Sequence, residues 1–315
     1  MPLRQRRGPP RAFNRRGRGS RRLSLREAAV LGALQGPTEL LPVSSSAHTT
    51  LIPWLLGWPY PELDRESRKA FEVALHAGAA VALALDMRAE LADSARELSR
   101  RRVAVIALSL GPPVLAGYAL ERPIERRLGG PRSIAAGLLA GGLAMAFADL
   151  CPGRGRDVEP GDARERRGAV RPGESTRGTR GQDDAGPRDG LALGVAQAAA
   201  LIPGVSRNGA TLTAARARGF TREDAQTLSW HAGLPVIVGA SALKAWRLWR
   251  GGIPEGAGSA LAAGAGSAFA STAAGARLLR RPRMSTRTLL PYAVYRCTIA
   301  AIAVVRLRRS QNMSG

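Results

Sequence analysis

Residues 32–45 read GALQGPTELLPVSS, and residues 194–207 read GVAQAAALIPGVSR. Gly32 with Gly194, Gln35 with Gln197, Val43 with Val205 and Ser44 with Ser206 stand at one constant offset, and the prolines Pro42 and Pro203 depart from it by a single place. A second echo follows in each half, as His76-Ala77-Gly78 and His231-Ala232-Gly233. Both copies of the first echo are apolar but interrupted by proline and glycine. Proline removes a helical N–H and glycine favours non-helical backbone, so an unbroken helix is not expected at either copy. Irregular backbone at membrane depth persists only where it is buried in protein or lines a watery cavity. Each copy therefore reads as a re-entrant helix-loop-helix that enters and leaves on one side.

Outward from these copies lie further apolar runs at residues 70–87, 103–120, 133–151, 228–246, 253–276 and 289–305. Their lengths approach the roughly 20 residues that a helix needs to cross the hydrocarbon core of a bilayer. Three such runs separate the two copies, and an odd number inverts the second copy relative to the first. The expected fold is an all-α integral membrane protein: an inverted-repeat helical bundle with about six spanning helices and two re-entrant helix-loop-helix elements, its site where the broken elements meet.

Composition by itself points elsewhere. A mean hydropathy of −0.11 and 23% charged residues suit a soluble protein, but the charges sit in blocks, and the apolar runs lack the polar face of a soluble core helix. The formal charge of +23 raises nucleic acid as a partner. The arginines, however, gather at the ends of apolar runs, as at Arg100, Arg101 and Arg102, which is where juxtamembrane positive charge belongs. A membrane and no nucleic acid is the expectation. Cys151 and Cys297 form neither a ligand cluster nor a disulfide framework. Residues 1–26 read as a basic disordered tail on anionic lipid. Residues 152–189, rich in Arg, Gly, Pro and Asp, read as a flexible hydrophilic linker between the membrane repeats 27–151 and 190–315.

The first broken element carries Gln35, Thr38, Glu39, Ser44, Ser45, Ser46 and His48 in apolar surroundings. An ionisable group in a membrane segment costs about 2.5–3.5 kcal/mol by insertion scales, so Glu39 needs a reason to be there. Gln35 and Glu39, four apart, share a helix face, with Pro37 placed near a helix start. The second element brings Ser206, Arg207, Asn208 and Thr211 to a helix N-terminus, an arrangement suited to phosphate. The bland alternative is an N-cap by Ser206 or Asn208 with Arg207 reaching for the interface. A carboxylate for a divalent cation, hydroxyls, an imidazole and an arginine together suit metal-assisted phosphoryl transfer.

The motifs LGALQGPTELLPVSSSAH and GVAQAAALIPGVSRNGAT resemble those of the undecaprenyl-diphosphate phosphatases associated with bacitracin resistance. Similarity extends to FEVALHAG, to FTREDAQTLSWHAGLPVIVGA and, faintly, to YAVYR. The resemblance implies hydrolysis of undecaprenyl diphosphate to undecaprenyl phosphate and inorganic phosphate in a bacterial plasma membrane. It implies that Glu39 helps hold a divalent cation, magnesium or calcium, and that Ser45, with Ser44 beside it, matches a serine nucleophile. It implies acid or base work for His48 and a grip on the diphosphate for Arg207, supported by Ser206 and Thr211. Gln35 stands where some members have a second glutamate, and Asn208 replaces a serine but still offers a donor to phosphate. Whether Ser45 or His48 is the nucleophile stays open, as does the oligomeric state. A polyprenyl-phosphate flippase or transporter is the rival reading, because inverted repeats around broken helices are also a transporter architecture.

Overall fold

The computed structural model describes residues 23–96, 99–150, 180–279 and 288–312. Among these the chain forms α-helices and no β-strand. In order they are α1 Leu25–Leu40, α2 Ser45–Leu56, α3 Arg65–Asp86, α4 Arg88–Arg96, α5 Arg100–Leu128, α6 Pro131–Leu150, α7 Pro187–Ala199, α8 Arg207–Ala217, α9 Arg222–Gly251, α10 Gly258–Leu279 and α11 Leu290–Asn312. Three of the described helices are long and apolar enough to cross a membrane: α5, α6 and α11. Val114, Leu115 and Tyr118 of α5 point outward and are well exposed, as apolar side chains facing lipid would be.

Both expected breaks are present. α1 runs through Pro37, which lies in its last turns and not near a helix start, and stops at Leu40. Proline deletes only one helical N–H, so a helix end that is already unwinding tolerates it. Leu41 to Ser44 then depart from helix, and Ser44 takes φ 77°, the only positive φ of a non-glycine residue among those described. In the second half the chain leaves α7 at Ala199 and re-enters helix at Arg207, with Gly204 at φ 94°.

Helices of the two halves interleave. α1 packs on α10 because Gly32 and Gly36 leave no room for a side chain against the backbone around Gly264 and Thr272. α7 packs on α5 in the same way, through Gly190 and Gly194 against Val105 and Leu108. Small residues four apart give this close approach its geometry. α6 packs on α11. The C-terminal end of α5 carries Glu125, paired with Arg65 at 3.0 Å and Lys69 at 3.1 Å, and Glu121, paired with Lys244 at 3.4 Å. Leu23, at the start of α1, clusters with Leu63 and Leu248 at this end. At the opposite end of α5, Arg102 pairs with Asp183 at 3.0 Å and Arg101 donates to the Asp184 carbonyl at 2.6 Å, just before α7 begins. The N-terminal ends of α1 and α7 thus lie near opposite ends of α5.

Of the expected tail and linker, residues 1–22 and 151–179 lie outside the described residues. The inner ends of both stretches are folded. Ser24 and Glu27 close a capping box on α1. Residues 180–189 have linker composition, yet Asp189 is fixed by Arg180 at 2.6 Å, Arg218 at 2.7 Å and the Gly186 N–H at 2.9 Å. Burial alone would raise the Asp189 carboxyl; the Arg180 hydrogen bonds, the Gly186 N–H and Arg218 outweigh it and pull it down to about 2. Residues 180–189 are therefore held in place although their composition is that of a linker.

Candidate active site

The first break builds a carboxylate–hydroxyl pair. Gln35 and Glu39 share one face of α1, and Gln35 Nε2 donates to Glu39 Oε2 at 3.4 Å. Ser45 opens α2 immediately beyond the strained Ser44, and its hydroxyl donates to the same Glu39 oxygen at 2.7 Å. The unusual Ser44 backbone, which costs on the order of 1–3 kcal/mol, is held by His48. The Nδ1–H of that ring donates to the Ser44 carbonyl at 2.7 Å. A carbonyl oxygen can only accept, so the proton is on Nδ1, and Nε2 accepts from the Tyr295 hydroxyl at 2.8 Å. His48 is buried, its ring stacked on Tyr295.

The second break supplies the cation. Ser206 caps α8 by accepting from the Gly209 N–H at 3.1 Å, the role expected of a serine before a helix. Arg207, the first helical residue, turns its guanidinium to Glu39, with Nη2 3.5 Å from Oε1. Both side chains are nearly buried, at 14% and 10% exposed, so this pair feels little solvent screening. The guanidinium lies 5.5 Å from the Trp230 ring centre and in the space left by the missing side chain of Gly233. Arg207 Nη1 is buried and makes no hydrogen bond to protein.

Two further residues lock the breaks together. Asn208 donates to the Leu40 carbonyl at 2.8 Å and accepts from the Ser229 hydroxyl at 2.9 Å, so its amide bridges the halves. Arg296 of α11 is buried with its guanidinium on carbonyl oxygens alone. It donates to Pro42 of the first break at 3.2 Å, to Gly204 of the second at 3.0 Å, and to Leu138 and Gly137 at 3.3 Å.

Between the breaks lies a cavity of about 160 Å³. Glu39, Ser44, Ser45, Ser206, Arg207 and Asn208 line it, together with Thr38, Ser46 and His76. The arrangement offers a hydroxyl bonded to a carboxylate and, across from it, a buried guanidinium with an unused donor. Such a pocket can take an anionic group and activate an oxygen nucleophile against it.

The Bacitracin resistance protein BacA family matches residues 28–302 of this chain. An undecaprenyl-diphosphatase of Geobacter sulfurreducens is 38% identical over 87% of this chain and 95% of its own length. Similar proteins of that name come from Pelobacter propionicus, 37% identical over 90% of this chain and 97% of the relative, and Mycolicibacterium paratuberculosis, 35% identical over 88% and 95%. The chain belongs to the BacA family.

Within this family member, the residues singled out from sequence separate into two groups. Glu39, Ser44, Ser45, Ser206, Arg207 and Asn208 meet at the cavity, whereas Gln35, His48 and Thr211 do not line it. Gln35 is fully buried behind Glu39, and Thr211 is fully buried with its hydroxyl 2.5 Å from Ser229. Sequence reasoning did not assign His76, Arg296 or Gly233 to the site. The signal for His76 and Gly233 was in the sequence, as the His-Ala-Gly echo. Arg296 had only the faint YAVYR similarity, because nothing local tells a carbonyl-bound arginine from a juxtamembrane one.

The donor set also bears on a divalent cation. Among the described residues no three of His, Cys, Asp and Glu form a metal-binding group. Magnesium needs less, since it is held by one or two carboxylates plus substrate phosphates and water. Glu39 supplies one carboxylate, and the side-chain oxygen Oε1 of Gln35 behind it is buried without a hydrogen bond. These residues fit a cation that the substrate helps to hold.

Proposed function

We infer that this protein is an undecaprenyl-diphosphate phosphatase, hydrolysing its substrate to undecaprenyl phosphate and inorganic phosphate and so serving cell-wall synthesis and bacitracin resistance. The observation that carries the reading is the 2.7 Å hydrogen bond from Ser45 to Glu39 inside a cavity closed on its other side by Arg207. The diphosphate enters with its charge facing Arg207, whose free Nη1–H finds an acceptor in a phosphate oxygen. Ser45 Oγ gives its proton to Glu39 Oε2 as it bonds to the terminal phosphorus, and the lipid monophosphate leaves. Ser45 is favoured over His48 as nucleophile because it lines the cavity beside a base, while both nitrogens of His48 are engaged. His48 acts by holding Ser44, and hence Ser45, in place.

Glu39, on the cavity wall with Gln35 behind it, would hold the divalent cation, magnesium or calcium, which when bound would offset charge on the phosphates. The carboxylate has lone pairs for both duties. Ser206 and Thr211 shape the start of α8 that presents Arg207, and Asn208 keeps that start against Leu40.

The membrane arrangement is part of the proposal: a multi-pass protein of the bacterial plasma membrane in which α3, α5, α6, α9, α10 and α11 span, and α1–α2 and α7–α8 are re-entrant with opposite orientation. The placement of the N-terminal ends of α1 and α7 near opposite ends of α5 supports it. The same feature is what a polyprenyl-phosphate flippase would use, and it keeps that second reading in view. Purified protein in detergent, given undecaprenyl diphosphate with and without a chelator, separates the two. Phosphate release that needs Ser45 and falls with chelator is the expected result. Lipid transfer across vesicles with no phosphate release would sink the phosphatase reading.

A further inference from the structure

His76 lies on α3, away from both broken elements in sequence, yet it lines the cavity with Glu39, Ser45 and Arg207. Its ring is oriented by one hydrogen bond, Nδ1–H to the Glu72 carbonyl at 2.8 Å. Because that acceptor is a carbonyl oxygen, Nδ1 carries a proton, and Nε2 makes no hydrogen bond to protein among the described residues. The contrast with His48 is instructive: there, both nitrogens are engaged and the ring is outside the cavity. The other cavity side chains have fixed tasks. Ser45 attacks, Glu39 takes the Ser45 proton, Arg207 keeps its charge, and Asn208 is committed to Leu40 and Ser229.

A reaction through Ser45 has a second half that these groups leave unserved. Once Ser45 carries the phosphoryl group, Glu39 holds the serine proton and must return it to Oγ as the ester breaks. It cannot at the same moment take a proton from the attacking water. We propose that His76 is the catalytic base of this second step. The water oxygen bonds to phosphorus while one of its protons passes to His76 Nε2. The Oγ–phosphorus bond breaks, Oγ regains its proton from Glu39, and inorganic phosphate leaves. The imidazolium then gives its proton to solvent through the cavity, so protons and electron pairs balance and no further reactant is needed. The orientation by Glu72 matches that of other general-base histidines, in which an acceptor on one nitrogen fixes the tautomer that frees the other.

This assignment rests on the Ser45 reading, and its test keeps the two apart. His76→Asn places an amide N–H where Nδ1–H stood, preserving a donor for Glu72, and deletes the base; His76→Gln is the second variant should the first fold poorly. Each is mixed with undecaprenyl diphosphate carrying a labelled terminal phosphate, quenched over time, and analysed for lipid monophosphate, free phosphate and label on protein. The expected result is a burst of about one lipid monophosphate per protein, label on Ser45, and steady turnover lowered by roughly 100-fold or more, as for loss of a general base. A purely structural role would slow both products together with no labelled protein. Turnover within a few-fold of the parent, or a slow reaction with no burst and no label, overturns the role of His76. Ser45→Ala decides the other question: if it retains turnover, the serine mechanism itself is wrong whatever His76 does.

Discussion

Gly233→Ala tests whether the site depends on where the Arg207 guanidinium sits, because the added methyl would occupy the space that guanidinium fills. A Cβ at Gly233 would fall on Arg207 Nη1, 2.9 Å from Cζ and 3.4 Å from Cδ. Ordinary carbon contacts lie near 3.5–4.0 Å, so the guanidinium must retreat by about 1 Å. It is the far end of a flexible side chain, so the fold can yield at small cost. Gly233 is also deep within α9, where alanine is the better helix former by about 0.5–1 kcal/mol. Stability should therefore hold or rise slightly. The function should not hold, since a misplacement of this size can cost on the order of 100-fold in turnover. The Arg207–Glu39 contact is already at 3.5 Å and would be lost. Phosphate release and a melting curve would be measured for Gly233→Ala, Arg207→Ala and the double variant. A fall of roughly 100-fold at unchanged melting temperature is expected, and almost no further fall when the alanine is added to Arg207→Ala, because the two changes act on one group. The reasoning fails if Gly233→Ala stays within about three-fold of the parent, or if its effect multiplies in the Arg207→Ala background.

Arg207→Lys keeps the charge but not the planar fork, and should lower phosphate release by at least about ten-fold; near-normal turnover would remove Arg207 from direct contact with the diphosphate. Glu39→Gln keeps the shape without the charge, so residual activity should respond weakly to a magnesium titration, and an unchanged response would take the cation away from Glu39. Tyr295→Phe deletes the donor to His48 Nε2 outside the cavity. It should leave turnover within about three-fold and lower stability by about 1 kcal/mol, the net worth of one hydrogen bond; a 100-fold fall in phosphate release would return His48 to the chemistry. Replacing residues 152–178 by a short flexible linker should keep activity if it spans the gap. Asp189→Asn, in contrast, should lower the melting temperature through loss of about 1–3 kcal/mol, because Arg180 and Arg218 lose their shared acceptor. The Asp189 carboxyl is depressed, to about 2, so its stabilisation is full above its unfolded value near 4 and fades as pH falls from there through 2. An unchanged melting temperature for Asp189→Asn would mean that residues 180–189 are held by something else.

The sequence determined the helices and their interruptions, because both are local. Apolar runs at residues 70–87, 103–120 and 133–151 became α3, α5 and α6, and proline and glycine in the two echoes marked the breaks after Leu40 and Ala199. It also singled out Glu39, Ser45 and Arg207, since a charge or a cluster of hydroxyls in apolar surroundings is costly without a use. Folding alone decided how these groups meet. The 3.5 Å approach of Arg207 to Glu39 spans the two halves and depends on Asn208 and Arg296, whose partners are backbone carbonyls that no sequence pattern names. Composition assigned Asp189 to a linker, and only two arginines brought close by the fold, Arg180 and Arg218, made it an anchor. The two histidines illustrate the same limit. His48 stands in the motif and His76 outside it, and the Nδ1 of each bonds the carbonyl four residues back; only the fold decides that the distant Tyr295 reaches Nε2 of His48, while no such partner reaches Nε2 of His76 among the described residues.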